Sequence, residues 1–346
     1  MLTTNLSTAV FVSLIFTMVI TIGVLPSTRG CTDLTPAPST SNAAIKSGHY
    51  SNIAGNPEVG RSGTGQADAG SAVIGGALYV IGGYGFTSKN ILDSVSVYSF
   101  ASNRWTSGPN YPVKAWGIAC TALRKSVFCF GGTGASLGAY VLGNGSLGWT
   151  RLADMPSAFK DSEGQVAISE PITNRIYILG SSNILAQKMT LSYDVSNNSY
   201  TRLKNMPFGN SWFTSGLFEG KIYMIGGIHS SEVLVYDIAH DSWTATGSCL
   251  QGPPRYGMIR NPGVLAGLIP VVDGRTPGSI FYRETVFYDA INNSFVQGPP
   301  TLVSRDGVAG GIIENHLIVV GGRNDTGTPY GLSISEMLDL TPIVSR

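Results

Sequence analysis

The chain has 346 residues, only 12 % of them charged, and 22 basic against 21 acidic side chains leave a net charge of +1. So even a balance gives no electrostatic footprint for nucleic acid or an acidic membrane surface, and 43 % hydrophobic residues exclude a disordered chain. With 44 glycines and few charges, the composition argues against long Glu- and Lys-rich surface helices and for a β protein with many turns.

At the N-terminus, residues 9–25 form an uncharged apolar run followed by Pro26, Ser27 and Thr28. This predicts a secretory signal peptide over residues 1–30, with Thr28 and Gly30 at the −3 and −1 positions of a cut ahead of Cys31. The run also reaches the lower limit of a membrane span, so an uncleaved anchor is the alternative. Residues 31–48, rich in Ser, Thr and Pro, read as a solvated linker.

The remainder, residues 49–341, is a repeat. Apolar β runs ending in a glycine pair or its equivalent place the first residue of the pair at 82, 131, 180, 226, 273 and 321. The spacings of 49, 49, 46, 47 and 48 are those of an array and not of separate domains. Gly180-Ser181 and Asp273-Gly274 are degenerate copies of the pair. Seven and six residues ahead of each pair stand turn residues such as Gly75-Gly76, Arg124-Lys125 and Glu219-Gly220, which predict two-residue hairpins. Downstream come a strand ending in Tyr or Leu (Tyr98, Tyr140, Tyr193, Tyr236, Tyr288, Leu338) and then an aromatic after a polar turn (Trp105, Trp149, Tyr200, Trp243, Phe295). Four strands per repeat of about 48 residues is the unit of a propeller blade. No aromatic follows Leu338, but Tyr50 to Asn56 aligns with Tyr200 to Met206, so the N-terminal segment is expected to supply the missing outer strand.

The hairpin centred on Arg124-Lys125 sets Cys120 opposite Cys129 in a non-hydrogen-bonded pair, where Cα atoms lie about 4.5 Å apart. A disulfide is expected there in an exported chain. Cys31 and Cys249 are free to pair, and spacing does not decide it. Asn144, Asn197, Asn292 and Asn324 begin N-x-Ser/Thr triplets and are glycosylation candidates.

The paired glycines, the Tyr-Asp and the spaced Trp resemble the kelch-repeat family over roughly residues 49–340. The resemblance implies an all-β, six-bladed kelch-type β-propeller whose ring is closed by an N-terminal strand completing the last blade. It further implies ligand binding at the channel mouth, between the loops that follow the glycine pair and those that lead into the next inner strand. The first set includes Tyr84, His229, Arg275, Tyr282 and Arg323, and the second Trp116, Asp161, Glu163, Trp212, Arg255, Tyr256, Arg305 and Asp306. In the family, arginines placed like Arg255 and Arg305 point into the mouth, where guanidinium groups suit carboxylates and aromatic faces suit sugars or peptide side chains. The alternative is that these arginines satisfy loop carbonyls and the aromatics cap the blades.

Enzymatic readings fare less well. Copper-radical sugar oxidases need two histidines at the site, and only His229 is expected on that face; Glu232, Asp237 and His240 have the wrong spacing for the iron site of plant kelch proteins. No metal site and no cofactor is expected. A sialic-acid mutarotase, or a related epimerase, is the enzymatic runner-up, with Asp161 or Glu163 beside Arg255 or Arg305. The expectation is a secreted, monomeric, non-enzymatic module for a protein or glycan ligand. No nucleic acid is expected as a partner, and no membrane unless the N-terminal segment is an anchor.

Overall fold

A computed structural model describes residues 48–56, 66–85, 90–324 and 332–344. The expected signal peptide and residues 31–47 of the linker lie outside the described residues. What is described is all-β apart from a single turn of 3-10 helix at Ser157–Phe159 and a short helix at Thr341–Val344.

Each repeat is an antiparallel sheet. The first is built from Gly70–Ile74, Ala77–Ile81, Val95–Ser99 and Arg104–Ser107, in that order from inside out. The second, third and fourth repeat this plan from inner strands Ala119–Leu123, Val166–Glu170 and Thr214–Phe218. The sixth takes Ala309–Ile313, His316–Val320 and Ser335–Asp339 from the end of the chain. Its outer strand is Tyr50–Asn52, with Tyr50 opposite Leu338, as the alignment of the N-terminal segment predicted.

The fifth repeat departs from the expected four strands. Leu268–Val272, Thr285–Asp289 and Ser294–Gln297 pair, but the innermost place holds irregular backbone with a single bridge, Leu265 to Leu268. Pro262 deprives that stretch of a donor that a ladder requires.

The sheets pack face to face through six apolar clusters, and each cluster spans two consecutive repeats. One joins the sixth repeat to the first, through Ala309, Ile313, Ile318 and Val320 against Leu78, Val80 and Tyr98. Sheets buried on both faces have little room for charge, which accounts for the composition.

The glycine pairs are explained by this packing. The amide of each pair's second residue donates to a carbonyl of the next repeat: Gly83 to Ala115, Gly132 to Ser162, Ser181 to Asn210, Gly227 to Arg255, Gly274 to Arg305 and Gly322 to Gln66. Gly82 and Gly83 have φ of 59° and 104°, and a Cβ would lie 2.5 Å from the Ala115 carbonyl on the first and 2.8 Å from that of Ala67 on the second. Neither position accepts a side chain without strain.

The outer aromatics fasten neighbouring sheets. Trp105 Nε1 donates to the Ala54 carbonyl at 2.7 Å, Tyr200 Oη to Ala153 at 3.0 Å and Trp243 Nε1 to Lys204 at 3.1 Å. Ala54, Ala153 and Lys204 are equivalent positions, so the N-terminal strand makes the same outer contacts as its counterparts. Tyr98, Tyr193, Tyr236 and Tyr288 each hydrogen-bond the side chain five residues on, an Asn or Asp held at positive φ.

Cys120 and Cys129 pair as expected, with Cα atoms 4.2 Å apart. Cys249 is disulfide-bonded as well, to a partner outside the described residues. Five hairpins turn in two residues, whereas Thr173-Asn174 belongs to a four-residue loop closed by Glu170 and Arg175. There the Glu170 carboxylate accepts the amides of Ile172 and Thr173.

Candidate functional site

The turns leading into the six inner strands meet one another. In each turn one residue has positive φ: Asp68, Gly117, Gly164, Trp212, Gly257 and Gly307. Backbone amides link them in sequence: Gly117 donates to Asp68 (2.7 Å), Gly164 to Gly117 (3.4 Å) and Trp212 to Gly164 (2.7 Å). Gly257 then donates to Trp212 (3.3 Å), Gly307 to Gly257 (2.7 Å) and Asp68 to Gly307 (2.8 Å), which returns to the start. We call this cycle the hub.

Four of the six positions are glycine. At the other two a side chain sits in the left-handed region, at a cost on the order of 1–2 kcal/mol each, and both side chains are engaged. The Trp212 indole lies over Gly164, where a Cβ would meet its Nε1 at 2.5 Å. It stacks on Trp116 with centroids 6.1 Å apart, and Tyr84 continues the row at 6.1 Å from Trp116. The Asp68 carboxylate accepts Arg323 Nη1 at 2.9 Å.

Across the hub from the aromatic row lies a charged cluster. Arg323 holds Asp306 through two bonds, Nε at 2.8 Å and Nη2 at 3.1 Å, and Arg275 Nε stands 2.9 Å from the same carboxylate without the alignment of a hydrogen bond. The Arg275 guanidinium covers the rings of Tyr256 (5.1 Å) and Phe281 (5.8 Å). Asp306 is fully buried, while Arg323 and Arg275 keep 19 % and 25 % of their side-chain surface exposed. Burial pushes the Asp306 carboxyl up to about 6, against the pull of Arg323 and Arg275. Burial likewise raises Glu163, which accepts the Thr133 hydroxyl, and the nearby Asp68 adds to the rise.

Of the side chains singled out from sequence, Trp116, Trp212, Tyr256, Asp306 and Arg323 do meet at the hub. Arg255 and Arg305 do not, and here the expectation is corrected. Arg305 is fully buried and bonds Asp273 (3.0 Å), Glu336 and the carbonyls of Gly321 and Ile334. Arg255 is 1 % exposed, paired with Glu284 at 2.5 Å and covered by the Tyr282 ring at 4.5 Å. Gln66 and Asn210 occupy the same place in their repeats and donate likewise to the glycine-pair carbonyls of Gly82 and Gly226. At Gln66, Asn210 and Arg305 the side chain therefore ties the entry turn to the glycine pair of its own repeat, while the backbone carbonyl accepts from the pair before it. Asp161 also lies apart: it is exposed and accepts the Ser136 amide at 2.9 Å, tying two loops together.

Asp68 and Arg260 carry no repeat signal that would have marked them in the sequence. Asp68 directly follows Gln66–Ala67, a strand of a small three-stranded sheet outside the four-strand plan, and Arg260 lies in the irregular fifth inner segment. Arg260 is partly buried beneath Trp212, with its guanidinium 5.2 Å from the ring, and desolvation brings it down to about 10. Of the glycosylation candidates, Asn144, Asn197 and Asn292 are exposed, whereas Asn324 is 8 % exposed and not presented at the surface.

An all-β array of antiparallel sheets, tied sheet to sheet by glycine pairs around a hub, is the architecture of a β-propeller. Residues 67–110, the first repeat, match the family model of the Kelch motif. Over 59 residues, 17 % of the chain, it is 32 % identical to Kelch-like protein 26 of Danio rerio and to that of Mus musculus, covering 10 % of each. Over 90 residues, 22 % of the chain, it is 36 % identical to a kelch repeat-containing protein of Dictyostelium discoideum, covering 13 % of it. The matched stretches are thus a small part of these relatives' length. The first repeat thus carries a Kelch motif.

Proposed function

We propose that the six sheets are the blades of one closed propeller, spanning residues 49–341, and that the hub face binds a protein partner. The cycle of hub bonds, the apolar cluster joining sixth repeat to first and the pairing of Tyr50–Asn52 with Ser335–Asp339 support the closure. The binding reading is carried by one observation: Tyr84, Trp116, Tyr256, Arg275 and Arg323 stand together on one face, each partly exposed and held by its neighbours. Tyr, Trp and Arg contribute most to protein interfaces, and rigidly held anchors lose little entropy on binding. The relatives carry kelch names and nothing in those names specifies a ligand, so the partner's class rests on this surface. With Arg255 and Arg305 internal and held by Glu284, Asp273 and Glu336, neither arginine is presented beside Asp161 or Glu163 as a mutarotase would need.

We also read the protein as exported, with cleavage before Cys31. Intact-mass measurement of the mature protein tests this, since the cut fixes the N-terminal residue. For binding, cross-linked partners are identified with the wild type and re-tested against Trp116→Ala and Arg275→Ala. Loss of about tenfold or more in affinity, with unfolding midpoints retained, is expected for hub-face anchors. Unchanged affinity in both variants removes the hub face as the site.

A further inference from the structure

Strand direction alternates within each sheet, so entry turns and glycine pairs lie at one end of the sheet and the turns between third and fourth strands at the other. The face opposite the hub is therefore built from those turns and from the hairpins between first and second strands. Among the described residues, six large apolar side chains are exposed. Ile184, Leu185 and Ile280 stand in loops that follow glycine pairs, on the hub side. Leu147, Ile172 and Ile291 stand on the opposite face, at 98 %, 93 % and 66 % exposure.

Each of these last three has an Asn-x-Ser triplet beside it. Leu147 follows Asn144-Gly145-Ser146, and Ile291 precedes Asn292-Asn293-Ser294. Ile172 lies in the loop closed by Glu170 and Arg175. That loop meets the turn of Asn197-Asn198-Ser199, where Asn174 Nδ2 donates to Ser196 Oγ at 3.0 Å. All three triplet asparagines are exposed. Two of the turns divide the work between adjacent asparagines. Asn198 and Asn293 accept the hydroxyls of Tyr193 and Tyr288 and serve the sheet. Asn197 and Asn292 donate from Nδ2 to the aspartate that shapes their own turn, Asp194 at 3.5 Å and Asp289 at 2.7 Å. An amide nitrogen has two hydrogens, so this bond leaves the second open to substitution.

We infer that Asn144, Asn197 and Asn292 carry N-linked oligosaccharides whose proximal sugars cover Leu147, Ile172 and Ile291 respectively. The donor is a lipid-pyrophosphate-linked oligosaccharide met in the export compartment, so this inference rests on the export reading. The asparagine Nδ2 bonds to the anomeric carbon of the sugar as the bond from that carbon to the pyrophosphate oxygen breaks. The lipid pyrophosphate departs with the electron pair, and the displaced amide proton passes to a base of the transferase. One N–H remains for Asp194 or Asp289. A sugar ring has an apolar C–H face, and laying it on an exposed Leu or Ile removes apolar surface from water. The face opposite the hub is thereby closed to docking, which leaves protein partners the hub side.

The test takes the full chain secreted from a eukaryotic host whose glycans stay rich in mannose. Glycan removal by an amidase in heavy-oxygen water converts each carrier asparagine to a labelled aspartate, which peptide mass spectrometry reads. Asn144, Asn197 and Asn292 should all be labelled. Binding of a hydrophobic dye to the folded protein should rise after this removal, and should not rise when an endoglycosidase trims each glycan to its proximal sugar. The rise should be lost in a variant carrying Leu147→Ser, Ile172→Ser and Ile291→Ser. A chain that begins at Cys31 and bears no glycan overturns the inference and leaves export standing. A chain that keeps residues 1–30 and bears none overturns both. Dye binding that stays level after full removal, or that rises on trimming, overturns the covering of the apolar residues.

Discussion

Arg305 shows how a correctly placed residue can carry the wrong role in a sequence reading. Its register in the repeat was legible, because Arg255 and Arg305 precede their inner strands at the same offset. Its direction was not, since offset alone does not say whether a guanidinium turns to solvent or to the glycine-pair carbonyl. Arg305→Ala leaves Asp273 and Glu336 buried without their cation, and loss of a buried partner costs about 3–5 kcal/mol. Denaturant titration should register that loss, whereas Arg275→Ala should change stability by under about 1 kcal/mol. The buried acids set a pH dependence of unusual sign. Asp273 and Asp306 are raised to about 6 from 3.8, and Glu163 is raised from 4.5. Between the unfolded and native values the native state holds protons that the unfolded chain has released, so this contribution to stability falls as pH rises through about 6. The unfolding midpoint should therefore be higher near pH 5 than near pH 7.5, and Glu163→Gln should narrow the difference. A midpoint that climbs steadily from pH 5 to pH 7.5 would contradict this assignment.

Among the elements, the glycine pair is the most legible because its requirement is steric and recurs intact in four of the six repeats. Gly76 and Gly83 allow that requirement to be separated from turn propensity. Both have positive φ, but nothing lies within 4 Å of a Cβ on Gly76, whereas on Gly83 the Ala67 carbonyl does. Gly76→Ala should cost about 1 kcal/mol and Gly83→Ala about 3 kcal/mol or more in chemical unfolding. Equal costs would mean that backbone conformation alone selects glycine there. The disulfide was equally legible, as hairpin register is fixed by turn length. It bridges residues only nine apart that the hairpin already holds together. Removing this bridge alone, in a variant carrying Cys120→Ser and Cys129→Ser, should cost no more than about 2–3 kcal/mol and leave the fold intact by near-UV circular dichroism. The fifth inner segment was not legible: the period implied a strand, while Pro262 and the bonds of Arg260 and Asn261 to other repeats override it. Periodicity reports what repeats share, and this segment is where one repeat differs.

For the whole molecule, the even spacing of repeats and the single unmatched aromatic were enough to place Tyr50–Asn52 beside Ser335–Asp339. Deleting residues 1–56 should expose Ser335–Asp339 as a sheet edge, lower the unfolding midpoint by several degrees and produce concentration-dependent association in size-exclusion chromatography. A monomeric, equally stable truncation would show that the strand is dispensable. The same pairing also orders events in time. Of the described strands, Tyr50–Asn52 leaves the ribosome first, and its partner Ser335–Asp339 is the last to be made. Each intervening sheet can form as its own hairpins appear, but this one waits for its last strand, the pairing of highest sequence separation among the described strands. Until then Tyr50–Asn52 has no partner strand, and the sixth sheet is completed after every other described sheet.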